Sequence, residues 1–144
     1  MGALDYSTLE QSRNSELMNE FNNKLRKKNY AAGTKLRHMI LGPVVDGRYD
    51  EAKNDLESYC SSKTDFPRFA IKTDRVKTHC MDLISAIAAK RTLPGLSSLS
   101  SSKQQELFEK VEEHFNELRG CLQKMEAVDA EVRLEDLKST AMVL

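Results

Sequence analysis

The chain has 144 residues, with 22 basic and 22 acidic side chains and a hydrophobic fraction of 40%. That length supports one domain with a real core, and a composition with three prolines, six glycines and no tryptophan points away from disordered and β-rich classes toward an all-α protein. A formal net charge of zero supplies no global field to steer the chain toward nucleic acid or an anionic membrane.

The first residues, MGALDYST, carry neither a basic head nor an apolar stretch, so they do not read as a signal peptide. The myristoylation pattern needs Ser or Thr where Tyr6 stands. Residues 1–11 are polar enough to fray, and residues 12–144 read as a single helical-bundle domain. No segment alternates as a strand does, whereas four segments repeat apolar residues at helical spacing.

The first segment runs from about Thr8 to Leu41, with Leu17, Phe21, Leu25, Ala32, Leu36 and Ile40 on one side. Gly33 weakens it near NYAAG, and Gly42-Pro43 is expected to end it. The second covers about Arg48 to Ser61 through Tyr49, Ala52, Leu56 and Tyr59, behind an Asp46-Gly47 turn in which Asp46 could cap the helix. The third follows SSKTDFP, with Pro67 in its first turn and a stripe of Val76, Cys80, Leu83, Ile84 and Ile87. Lys90 and Arg91 suit the negative end of its dipole, and Pro94-Gly95 stops it. The run Ile84 to Ala89 is too short to span a membrane.

The loop LPGLSSLSSS follows, with Leu96 and Leu99 as pegs against the bundle and capping-box spacing at Ser101/Gln104 or Ser102/Gln105. The fourth segment has the cleanest pattern: Phe108, Val111, Phe115, Leu118, Leu122 and Met125 at alternating steps of three and four. Leu107, Cys121 and Val128 widen its apolar face to the breadth of a bundle core. After Asp129 the pattern weakens through Val132, Leu134 and Leu137, as a helix extension or a separate fifth helix, and AMVL closes the sequence.

The segment KLRKKNYAAGTKLRH holds Lys24, Arg26, Lys27, Lys28, Lys35 and Arg37 and no acid. At about 100° per residue the apolar stripe of this helix covers about 20° to 160°, with the four lysines along one edge and the two arginines along the other. The charges therefore flank a buried face, their methylenes covering apolar surface. Between Gln104 and Leu137, ten acids stand against four bases, so an opposite charge is available if the two helices are neighbours. Docking of an acidic protein or of nucleic acid is the alternative use of these six residues. Tyr30 is the single aromatic in the stretch, which is poor equipment for base stacking.

No short catalytic signature is present: there is no glycine-rich phosphate loop and no nucleophile elbow. HMILG, from His38 to Gly42, resembles the His-x-x-Lys-Gly core of histidine phosphotransfer domains, themselves helical bundles, although Leu41 stands where the lysine belongs. DGRYDEAKNDLESY resembles part of a tetratricopeptide hairpin, but 34 residues after Gly47 and Tyr49 stand Met81 and Leu83, so no repeat exists. His79 and Cys80 diverge on a helix, and His114 and Cys121 lie two turns apart, so no metal site is expected. The carboxylates of the fourth segment, Glu112 and Glu113 among them, read as a solvated face. Cys60, Cys80 and Cys121 read as reduced thiols of a cytoplasmic protein.

The expected fold is all-α, an antiparallel bundle of four main helices, with the C-terminal part either an extension of the fourth or a fifth helix. The expected function is non-enzymatic: an adaptor or regulatory module that binds a protein partner or self-associates, without cofactor, metal or membrane. The two alternatives are a nucleic-acid binder using Lys24, Arg26, Lys27, Lys28, Lys35 and Arg37, and a phosphotransfer bundle using His38.

Overall fold

A computed structural model describes the backbone of residues 2–28 and 33–143 and the side chains at 9, 11–28 and 33–142. Among these residues the chain is helical, without strands: α1 (Gly2–Lys27), α2 (Lys35–Val45), α3 (Tyr49–Ser61), α4 (Pro67–Arg91) and α5 (Ser101–Val143), with one 3-10 turn at Leu96–Ser98. The all-α bundle is as the periodicity implies. The count of five arises differently from the expectation.

The first segment is two helices, broken near NYAAG where Gly33 weakens it. α1 stops at Lys27 and α2 begins at Lys35, capped by Thr34, whose Oγ1 accepts from the Arg37 backbone N–H at 3.4 Å. Gly33 sits at φ +123°, a backbone conformation that favours glycine, and a Cβ there would also displace the end of the Arg37 side chain. Ala32 and Tyr30 lie outside the described residues.

Pro43 does not end α2, which continues to Val45. Proline removes one backbone bond, but it does so in the last turn, where Pro43, Val44 and Val45 are all buried in the core. Gly47, at φ +83°, then turns the chain into α3. Asp46 is not the cap of α3. Arg48 holds that position without a side-chain bond, and Asp46 pairs with Arg26 at 2.5 Å and Arg48 at 3.5 Å instead.

α4 opens with Pro67 at its first position, as expected. Leu96 is fully buried beneath the following loop, and Leu99 is half-buried. The cap of α5 is Ser100, one residue before the expected box: its Oγ accepts from the Lys103 N–H at 3.2 Å. Gln104 donates back to the Leu96 and Leu99 carbonyls at 3.1 and 3.2 Å, tying the loop to the helix. No separate C-terminal helix forms. α5 is continuous for 43 residues, about 65 Å, against 25 residues and about 38 Å for α4.

α4 and α5 are the central pair, and they run antiparallel. Along them Arg68 meets Glu135, Lys72 meets Glu131 and His79 meets Glu117, one series rising as the other falls. α3 lies antiparallel on α4 by the same reasoning, with Lys77 to Glu57 and Lys53 to Ser85. The core is one cluster, in which Phe21, Leu25, Ile40, Leu56, Ile84, Phe115, Leu118 and Leu122 are essentially inaccessible. Phe21 of α1 stacks on Phe108 of α5 at 4.6 Å between ring centroids, inside the distance range of favourable aromatic pairs.

Candidate functional site

The six basic residues of the first segment do not form one patch. Arg26 turns to Asp46, and its other nitrogen reaches Asn23 at 3.1 Å. Lys28 bonds Glu112 of α5 at 2.8 Å. Arg37, with 15% of its side chain exposed, lies 3.4 Å from Glu126, whose carboxylate also accepts from the Thr34 hydroxyl. Lys24, Lys27 and Lys35 are exposed, and among the described residues no ion pair engages them. Basic α1 and α2 thus meet acidic α5 at two points, Glu112 and Glu126.

Three of α5's other acids, Asp129, Glu131 and Glu135, are answered from a direction that sequence reasoning missed. Lys63 of the α3–α4 turn reaches Asp129 at 3.3 Å, and α4 contributes Lys72 to Glu131 at 2.5 Å and Arg68 to Glu135 at 2.6 Å. The signal was present in the sequence: Lys63, Arg68, Lys72 and His79 repeat at intervals that keep them along one flank of the chain entering and forming α4. Lys72 holds the Glu131 carboxyl below the usual carboxylate range.

Arg91 departs furthest from expectation. Expected to serve the negative end of its own helix, it is 5% exposed. Its guanidinium donates to the Val44 carbonyl at 2.5 Å and the Val45 carbonyl at 2.8 Å, and also to Asn22. It lies over the Tyr49 ring at 5.6 Å. Arg91 therefore closes the C-terminal end of α2, where the last carbonyls carry the negative end of the dipole and the Val44 carbonyl also accepts from the Gly47 N–H. Burial pulls its pKa below the usual value, while Tyr49 and Asp46 act the other way. A shallow groove of about 500 Å³ between α1 and the end of α4, flanked by Asn14, Met18, Asn19 and Leu93, has Arg91 in its wall. Both terminal nitrogens of Arg91 are already engaged by protein acceptors.

The histidines sit apart. His38 is exposed on α2, and Leu41, at the place of the phosphotransfer lysine, is fully buried. His79 lies 3.8 Å from Glu117. His114 is half-buried with an unpartnered Nε2, and burial followed by Lys90 lowers its pKa. Among the described residues no three His, Cys, Asp or Glu side chains converge as a metal site would require.

The cysteines, scattered in sequence, come together between the helices. Cys80 of α4 and Cys121 of α5 are neighbours whose thiols interact, and Cys60 Sγ lies 3.9 Å from Met125 Sδ. Burial pushes all three thiols up, which suits packing and not nucleophilic chemistry.

The remaining feature is the outer face of α5 near its C-terminal end. Ala127, Ala130, Leu134, Leu137 and Ala141 recur at steps of three, four, three and four, so they form one stripe. All are exposed, Leu134 at 53% and Leu137 at 66%. The stripe is separate from the inner one, which ends at buried Val132. The Arg68–Glu135 pair marks the level of α4's first turn, so α5 runs on past the start of its main neighbour. Every described side chain from Asp136 to Met142 is exposed. No protein-family model, no curated protein and no solved structure matches the chain.

Proposed function

We propose that the chain is a non-enzymatic protein-interaction module, and that the surface it offers is the outer stripe of α5 from Ala127 to Ala141. The observation that carries this reading is a second apolar heptad stripe on a helix whose inner stripe already fills the core. A helix that needs only one buried face to fold does not need the other, and an exposed three-four apolar row is the pattern by which one helix docks on another. The buried, protonated thiols accord with a reducing, cytoplasmic setting.

The test places a photo-crosslinking residue at position 137 of the full chain, with position 54 on α3 as control, in extract of the cells that make the protein. Protein adducts at position 137 that disappear with Leu134→Glu support the reading. Adducts no more abundant at 137 than at 54 overturn it.

A second reading, nucleic-acid binding, rests on the exposed and unpaired Lys24, Lys27 and Lys35. It requires binding of labelled single- or double-stranded nucleic acid that falls steeply with salt and is lost when these three become glutamine. Binding insensitive to those changes counts against it. Phosphotransfer through His38 keeps only the exposure of that ring in its favour.

A further inference from the structure

Resting on the interaction reading, we infer that the occupant of the α5 stripe is a second copy of this chain, docked antiparallel over residues 130–141. The argument is the self-complementarity of the stripe. Ala130, Leu134, Leu137 and Ala141 occupy the inward positions of a heptad, with Glu131 and Lys138 along one flank and Glu126 and Arg133 along the other.

Orientation and register follow from these charges. In a parallel pair, Glu126 would face Glu131 of the second copy and Arg133 would face Lys138, both repulsive. In an antiparallel pair centred between Leu134 and Leu137, each Leu134 packs on Leu137 of the other copy, and each Ala130 on Ala141. The flank then brings Glu131 of each chain to Lys138 of the other, twice by symmetry. Sliding by one heptad in either direction sets Glu131 against Glu131 or Lys138 against Lys138. Of these arrangements, only one joins unlike charges, and like-charge juxtaposition excludes wrong registers more strongly than rim pairs stabilise the right one.

The geometry of the monomer permits this contact. The antiparallel arrangement sends the two bundles away from each other, and the stripe that pairs lies on the side of α5 opposite buried Val132. The helix is already ordered by its inner face, so docking orders little new backbone. Glu131 keeps about half its side-chain surface exposed while paired with Lys72. The overlap of about 18 Å is short, and the buried area falls below the standard interface of about 1,600 Å². The association is therefore weak and concentration-dependent.

Sedimentation velocity on the full chain, from about 10 µM to about 1 mM, tests the inference. The expected result is a monomer that shifts to a dimer across this range, weakened more than about tenfold by Leu134→Glu or Leu137→Glu. Glu131→Lys and Lys138→Glu each weaken self-association, since each sets like charges together. An equimolar mixture of these two variants associates more tightly than either alone, because every flank pair then joins unlike charges. All four substitutions are at exposed positions, and an unchanged circular dichroism spectrum verifies that the fold is intact. A chain that stays monomeric at about 1 mM, a dimer indifferent to Leu134→Glu, or a mixture no tighter than its components overturns the inference. If position 137 then crosslinks a different protein, the second copy is excluded and the interaction reading stands. If it crosslinks nothing, both fall.

Discussion

Helix α5 carries two apolar stripes with the same three-four spacing and opposite fates. The inner one, Val111 through Val132, is buried against α1 to α4. The outer one, Ala127 through Ala141, faces solvent. Periodicity alone does not say which stripe a bundle will use. Size does: the inner row has phenylalanine, valine, leucine and methionine at nearly every step, whereas three of the five outer positions are alanine. The larger row gains more on burial, about 25 cal/mol per Å² of apolar surface, and so takes the core.

The comparison breaks most visibly at the core. Phe115→Ala should cost about 3–5 kcal/mol and lower the melting temperature by on the order of 10 °C, read by thermal denaturation. Arg91→Met comes next, at about 1–3 kcal/mol, because it takes the guanidinium from the buried Val45 carbonyl, while Val44 keeps the Gly47 N–H. The same change at neighbouring Lys90, which has no such bonds, should cost far less, and urea titration of the two variants separates them. Lys28→Gln removes an ion pair whose lysine is about half exposed, and its cost should stay within about 1 kcal/mol and shrink with salt.

His114 contributes a small pH dependence. Burial and Lys90 depress its folded-state pKa below 6.5, so the unfolded chain takes a proton first as pH falls. Stability should therefore decline as pH drops below about 6.5 and level off once the folded-state pKa is passed, and His114→Gln should flatten that slope. The smallest effect on stability belongs to the outer stripe: Leu134→Glu should change the monomer by no more than about 0.5 kcal/mol, even though the same substitution is expected to weaken the proposed docking more than about tenfold. A large loss of monomer stability there would show the outer stripe to be part of the fold.

Much of the fold was legible in the sequence because it depends on local repetition. Phe21, Leu25, Leu36 and Ile40 are buried as their spacing implies, and so are Cys80, Leu83, Ile84, Ile87 and the row from Val111 to Met125. The places where the reading failed have a common cause. Pro43 was taken as a stop because its ring removes a local bond, yet burial of Pro43 to Val45 carries α2 past it. Arg91 suits the negative end of its own helix, yet the end it caps belongs to α2, 46 and 47 residues earlier. The Cys80–Cys121 contact joins two helices and leaves no local signature. The outer stripe was visible only in fragments, Leu134 and Leu137 as a weak continuation of the inner row, because the two stripes overlap between Ala127 and Val132 and only burial separates them.

The sequence by itself determined that this chain is helical, where the main turns fall, and which large apolar residues share a face, since these follow from backbone geometry and from spacing along one helix. The tertiary structure decided which acids meet which bases, where Arg91 points, and which of the two stripes of α5 remains free. Those outcomes depend on partners far apart in the chain, and the pairing that wins is the one that buries the most apolar surface while leaving the fewest polar groups unpaired.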